Sequence, residues 1–144
     1  MSNEYIPFLS QIKDVQKHTE IEYSFCMSYV GDVQPGQFFQ VSIPKFGEAP
    51  ISVSGIGEDD VELTIRKVGK VTNEIFENRV GQSLFMRGPY GNGFSLELYR
   101  GKELIIVAGG TGVSPVKGVI DYFGEHREEV KSLSVIAGFK SPGD

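Results

Sequence analysis

The apolar residues of this chain change period once, and the change falls at Arg100-Gly101. Before that point they alternate. Ile21, Tyr23, Phe25, Met27 and Tyr29 interleave with Glu22, Ser24, Cys26 and Ser28, and Val61, Leu63 and Ile65 interleave with Glu62, Thr64 and Arg66. Period 2 is the mark of a strand with one buried and one wet face. Cys26 falls on the face opposite the aromatics. After that point, Leu104-Ile105-Ile106-Val107-Ala108 runs apolar without a break, which predicts a strand buried on both faces of a parallel sheet. Two periods within 144 residues call for two different packing environments.

The first environment is built from short strands. Phe38 to Ile43 forms one, stopped by Pro44; Ile51 to Ser54 forms another; Ser83 to Arg87 precedes Gly88-Pro89. Turn signals at Gly31-Asp32, Gln34-Pro35-Gly36 and Gly57 to Asp60 separate them. Strands at this spacing predict a closed barrel or a sandwich, and closure removes exposed edges. A short helix at Thr72 to Phe76 interrupts them, with the Thr72 hydroxyl as its expected cap. In the second environment, Gly109 to Gly112 leads into Ser114-Pro115, a helix start, and Val116, Val119, Ile120 and Phe123 form a helical stripe. Leu133 to Ala137 is the next apolar strand. The expected fold is mainly β: a barrel over 1–98, followed over 102–144 by an incomplete α/β unit that opens β-α-β.

Several function classes are disfavoured. A net charge of -5 offers no basic footprint for nucleic acid. No apolar run approaches the ~20 residues that span a bilayer, and no basic stretch followed by an apolar run marks a signal peptide. The single cysteine, Cys26, allows no intrachain disulfide and no cysteine-built metal site. The expected location is cytoplasmic, and Cys26 reads as an inert strand residue. His18 and His126 lack metal-ligand spacing, and no G-x-S-x-G elbow is present. Ser114 reads as a cap, and Glu125, Glu128 and Glu129 as a solvated surface.

Three glycine-rich segments carry chemistry. Gly109-Gly110-Thr111-Gly112-Val113-Ser114-Pro115 lies between a strand and a helix, where glycines let backbone approach a phosphate and helix-start amides favour negative charge. A tight turn with no ligand explains it equally. Val68-Gly69-Lys70-Val71-Thr72 places Lys70 and the amides of Lys70 to Asn73 as an anion nest, or simply as a turn with a cap. In Gly88-Pro89-Tyr90-Gly91-Asn92-Gly93-Phe94, Tyr90 and Phe94 either wall a planar ligand or plug a barrel end.

The order Pro35-Gly36-Gln37-Phe38, Ala49-Pro50-Ile51-Ser52, Val68 to Thr72, Gly88 to Phe94 and Gly109 to Pro115 resembles the ferredoxin–NADP reductase superfamily. Its wording is most like the electron-transfer subunits of anaerobic sulfite reductase, sulfhydrogenases (gamma) and dihydroorotate dehydrogenase. Gly47 to Ser52 and Arg87 to Phe94 look most like the anaerobic sulfite reductase protein. The resemblance implies a six-stranded antiparallel FAD-binding barrel and the start of a doubly wound NAD(P)-binding domain. Ala49, Pro50, Ile51 and Ser52 would lie against the flavin. Arg66, Lys67 and Val68 would line the adenosine and pyrophosphate side, and Gly69, Val71 and Thr72 would hold the pyrophosphate through backbone amides. Gly109, Gly110, Thr111, Gly112, Ser114 and Pro115 would meet the nicotinamide dinucleotide, with Gly138 and Phe139 beside it.

The chain departs from the family pattern at two positions. Ala49 stands where the family has arginine, so a pyrophosphate cation is missing unless Arg66 or Lys67 replaces it. Ile51 stands where the family has tyrosine, so flavin stacking is expected to be aliphatic. The implied parent activity is electron transfer from NAD(P)H through FAD to a two-iron two-sulfur centre and a sulfite-reducing partner subunit. The alternatives are a hydrogenase or dihydroorotate dehydrogenase partner, or an assembly module without flavin. The chain itself is expected to be a fragment or truncated product with little complete turnover. It lacks the four thiolates such a cluster needs. Its apolar strands, without later neighbours, are expected to make it dimerise.

Overall fold

The computed structural model describes residues 6–109 and 113–138. Six strands, β1 (Phe8–Thr19), β2 (Glu22–Ser28), β3 (Phe38–Ile43), β4 (Gly47–Ile56), β5 (Asp60–Arg66) and β6 (Ser83–Tyr90), close an antiparallel barrel in the order β1-β2-β5-β4-β3-β6. Alternation decides which face goes in. Phe25, Met27, Phe39, Val41, Val53, Val61, Leu63, Ile65 and Met86 fill the interior, and their sequence neighbours face outward. The single-sequence pattern did not reveal β1. Phe8, Ser10 and Ile12 point inward while Leu9 lies exposed, and the register to β2 slips between Ile12 and Asp14 and again between Lys17 and Thr19, so hydropathy along the strand does not mark its buried face. β4 is also longer than the expected Ile51 to Ser54, because Gly47 to Pro50 pair in register with β3.

A short helix, α1 (Lys70–Ile75), lies between β5 and β6. Ile75 is buried in the barrel core, and Val71 and Phe76 pack against it. Gly69 is the N-cap, in extended backbone, and Thr72 is the third helical residue. The expected cap at Thr72 is therefore corrected. Its hydroxyl reaches backwards, accepting from the Val68 amide at 2.9 Å and the Gly69 amide at 3.0 Å, and it donates to the Gly69 carbonyl at 3.1 Å.

Beyond the barrel, β7 (Glu103–Gly109), α2 (Val113–Glu125) and β8 (Ser132–Gly138) form one parallel crossover. Val119 and Phe123 of α2 close a second cluster with Ile106 and Val130, joined by Phe94, Leu96 and Tyr99 from the connecting segment. The expectation that β7 is buried on both faces is corrected. α2 covers the Leu104 and Ile106 face, whereas Ile105 and Val107 are 65% and 71% exposed and their neighbour Ile136 on β8 is 58% exposed.

Candidate functional site

The β3–β4 hairpin and the first turn of α1 meet at one end of the barrel. A Cβ on Gly47 would lie 3.5 Å from Val71 Cγ2, and Lys70 Nζ sits 5.8 Å from the centre of the Phe46 ring. Ala49 and Val71 both pack against the barrel core. Two segments singled out by sequence, 49–52 and 69–72, are thereby brought together.

At this end the backbone offers donors. The first three amides of a helix have no intrahelical acceptor, and here they belong to Lys70, Val71 and Thr72. The expected nest was wider, and it is corrected at its end: the Asn73 amide is spent on the Gly69 carbonyl at 2.8 Å. By occupying the Val68 and Gly69 amides, Thr72 holds the turn that aims the remaining three.

On β4 the four residues divide between two faces. Ala49 and Ile51 pair with the core residues Val41 and Phe39, and Ile51 is only 8% exposed. Pro50 and Ser52 pair with Gln40 and Phe38, on the outer face. That face continues onto β6 through Tyr90, in register with Phe38 at a ring-centre distance of 5.7 Å. Arg87 lies beside it, ion-paired to Glu48 and donating to the Tyr90 hydroxyl at 3.1 Å. The hydrogen bond from Arg87 holds the Glu48 carboxyl below its ordinary range, and burial opposes this less strongly. Glu48, and then Tyr90, hold the Arg87 guanidinium above its own range. Sequence did not single out Phe38, Gln40 and Arg87 as site residues, because only strand register places them beside Pro50 and Ser52.

The remaining expectations fall elsewhere. The Lys67 amide donates to the Ile21 carbonyl at 2.7 Å, and its side chain lines an open groove of about 430 Å³ with Lys17, Tyr23, Phe76 and Arg79. That groove lies at the far end of α1 from its first turn. Arg66 is half-buried on β5, in register with Glu22, and Val68 is exposed. Gly109 and Gly138 end the two parallel strands opposite one another. Ser114 and Pro115 are the second and third residues of α2, in place of a cap and first position. Gly110, Thr111, Gly112 and Phe139 lie outside the described residues. Tyr90 and Phe94, close in sequence, part: Tyr90 joins the outer face, and Phe94 packs in the second cluster.

Sequence reasoning also missed a chain of hydroxyls. Ser54, bulged out of the β4 ladder and 0% exposed, donates to Glu62 Oε1 at 2.8 Å. Ser54 to Thr64, Thr64 to Ser24, and Ser24 to His18 Nε2 follow at 2.8, 2.8 and 2.7 Å. With the Ser54 proton given to Glu62, each hydroxyl donates towards Glu62 and His18 Nε2–H begins the series. Cys26 is half-buried, and its thiol is pushed up first by burial and then by Asp60, which disfavours the reactive thiolate. Among the described residues no cluster of three or more His, Cys, Asp or Glu could hold a metal ion, and no helix is long and apolar enough to cross a membrane.

No protein-family model matches the chain. It is 37% identical over 128 residues to the gamma subunit of sulfhydrogenase 2 from Pyrococcus furiosus, covering 83% of this chain and 44% of that one. It is 33% identical over 111 residues to a probable dihydroorotate dehydrogenase B electron transfer subunit from Thermoplasma volcanium, covering 77% and 43%. The chain is homologous to electron-transfer subunits of sulfhydrogenase and dihydroorotate dehydrogenase. It spans less than half the length of these curated relatives. Phthalate dioxygenase reductase, described as a modular structure for electron transfer from pyridine nucleotides to [2Fe-2S], superposes with a TM-score of 0.80 at 17% identity, covering 97% of this chain and 46% of that one. The fold is thus the ferredoxin reductase-like one, with a closed six-stranded barrel and the start of a β-α-β domain.

Proposed function

We propose that the barrel of this electron-transfer homologue binds FAD, and that the β7–α2 turn receives a nicotinamide dinucleotide. The observation that carries the reading is the meeting of the first turn of α1 with the Gly47–Ala49 end of β4. Three amides there suit a diphosphate, and the adjoining outer face of Phe38, Pro50, Ser52 and Tyr90 suits a planar ring. The residues present therefore fit the cofactor. Two units, 1–98 and 102–144, would divide the work between flavin and dinucleotide.

The roles of the chain's own residues follow from their placement. The amides of Lys70, Val71 and Thr72 would bind the diphosphate, and Lys70 adds charge in place of the arginine missing at Ala49. Ile51 would support the site from inside the barrel, where it fills the wall against Phe39; Pro50 and Ser52 would make the outward contact. Arg66, Lys67 and Val68 would face the adenosine half, and Gly69 would set the turn between the two. Gly109, Gly110, Thr111, Gly112, Ser114 and Pro115 would cradle the dinucleotide, with Gly138 and Phe139 alongside. When bound, FAD would supply hydride acceptance and single-electron release, chemistry that needs no side-chain nucleophile.

The names of the relatives support a hydrogenase or a dihydroorotate dehydrogenase as the partner complex. A sulfite-reducing partner rests on Gly47 to Ser52 and Arg87 to Phe94 alone. A two-iron two-sulfur centre would have to come from residues beyond this sequence, whose only cysteine is Cys26.

A visible spectrum of the purified chain, taken before and after incubation with FAD and desalting, tests the reading. Retained flavin bands are expected. A colourless protein would overturn it in favour of an assembly module without flavin.

A further inference from the structure

Strands β4, β3 and β6 present one outer face. Pro50, Gln40 and Arg87 stand in one register row across it, and Ser52, Phe38 and Tyr90 in the next. A bulge makes Arg87 and Tyr90 neighbours. The β3–β6 register slips between Phe38 and Gln40, so Gly88 and Pro89 of β6 stand against Phe39 alone, and Tyr90 turns to the face that Arg87 occupies. Gly88 permits this turn: its φ is +126°, and a Cβ there would lie 3.2 Å from both the Phe38 carbonyl oxygen and Tyr90 N. The Arg87 guanidinium is then held from two sides. Its Nε donates to Glu48 Oε2 at 3.1 Å, its Nη2 to Glu48 Oε1, and its Nη1 to Tyr90 Oη at 3.1 Å. It also lies 5.6 Å from the centre of the Tyr90 ring. Arg87 and Glu48 are the only charged residues in these three strands.

We propose that this pair sets the charge a flavin ring meets on the face, the Arg87 guanidinium favouring the reduced ring and the Glu48 carboxylate opposing it. The inference rests on the flavin reading above. Two-electron reduction of a flavin at neutral pH, with uptake of one proton, leaves the ring one negative charge richer. A nearby cation stabilises that form and a nearby anion destabilises it. Arg87 stands between Tyr90, a wall of the ring site, and Glu48, so the cation is the nearer of the two charges. Its partners on β4 and β6 hold it in place before anything binds, so binding does not have to order a free side chain. Side-chain exposures of 26% for Arg87 and 36% for Glu48 leave both open to a group on this face.

A dithionite titration of the FAD-loaded 144-residue chain against a reference dye reads the midpoint potential and tests the pair. Arg87→Gln is expected to lower the ratio of reduced to oxidised FAD affinity about tenfold, the scale of one unit charge in a part-exposed site. That ratio is a fall of about 30 mV for a two-electron couple. Arg87→Lys, which keeps the charge, should recover most of the loss. Glu48→Gln should raise the potential, although it breaks the same ion pair. A pair that only braced the strands would weaken retention of both redox forms and leave the potential alone. Equal potentials in the parent, Arg87→Gln and Glu48→Gln overturn the inference, and so do shifts of the same sign. If Arg87→Gln keeps no flavin, an unshifted or lowered potential in Glu48→Gln overturns it. A parent that retains no flavin overturns the function proposed above, and this inference with it.

Discussion

Thr72 shows how much one hydroxyl can organise. It is buried, and it satisfies the Val68 and Gly69 amides while donating to the Gly69 carbonyl. Thr72→Val keeps the shape and strands two amides, so urea unfolding should show a loss of about 1–3 kcal/mol, largely restored by Thr72→Ser. Gly36 sits at φ +91°, and a Cβ there would meet Phe94 Cδ2 at 2.6 Å. Gly36→Ala should destabilise through both backbone and ring, by more than the ~1 kcal/mol of an ordinary glycine substitution; the urea midpoint checks it. Glu48, held below its unfolded value of 4.5 by Arg87, contributes stability that is present above that value and lost as pH falls through the lower folded one. Glu48→Gln should therefore lower stability near neutrality and flatten its decline as pH falls below 4.5. A stability profile of the same steepness in both proteins would refute this.

The elements divide by whether their pattern is local. β2 and β5 are legible because apolar and polar residues alternate along them, β3 because turn residues and Pro44 bound a short run of strand formers, and the α2 stripe because Val116, Val119, Ile120 and Phe123 share one helical face. β1 is not, because Ser10 faces in and Leu9 faces out, against the hydropathy pattern, and its inward residues make sense only against β2 and β6. α1 is legible as a helix but not in its boundary, since a hydroxyl at its third position mimics a cap in sequence. Its anchor is Ile75, fully buried at the barrel end. Ile75→Ala should cost about 2–5 kcal/mol by urea unfolding, and it should weaken FAD retention because the first turn rides on that anchor.

At the scale of the whole molecule, the parallel pair is the exposed flank. Among the described residues β7 and β8 pair with each other alone, and Ile105, Val107 and Ile136 face outward from them. β-branched residues beside two open strand edges favour pairing with another chain. Light scattering of the 144-residue chain should show concentration-dependent association, and Val107→Lys should reduce it. A clean monomer at high concentration in the parent would refute the expectation.

Period and glycine placement by themselves determined the strands from β2 onward, the helices, the change from barrel to β-α-β, and the glycine-rich segments at 69–72 and 88–94, while the family resemblance added 49–52. These follow from local chemistry, since a side chain's alternation or a glycine's freedom is written within a few residues of it. Tertiary structure alone decided which of those segments meet. It turned Ile51 into the wall and Pro50 outward, set Phe38 and Arg87 beside them, parted Tyr90 from Phe94, and ran a series of hydroxyls from His18 to Glu62. Such neighbours lie tens of residues apart in the chain. What joins them is strand register and barrel closure, which no stretch of sequence records by itself.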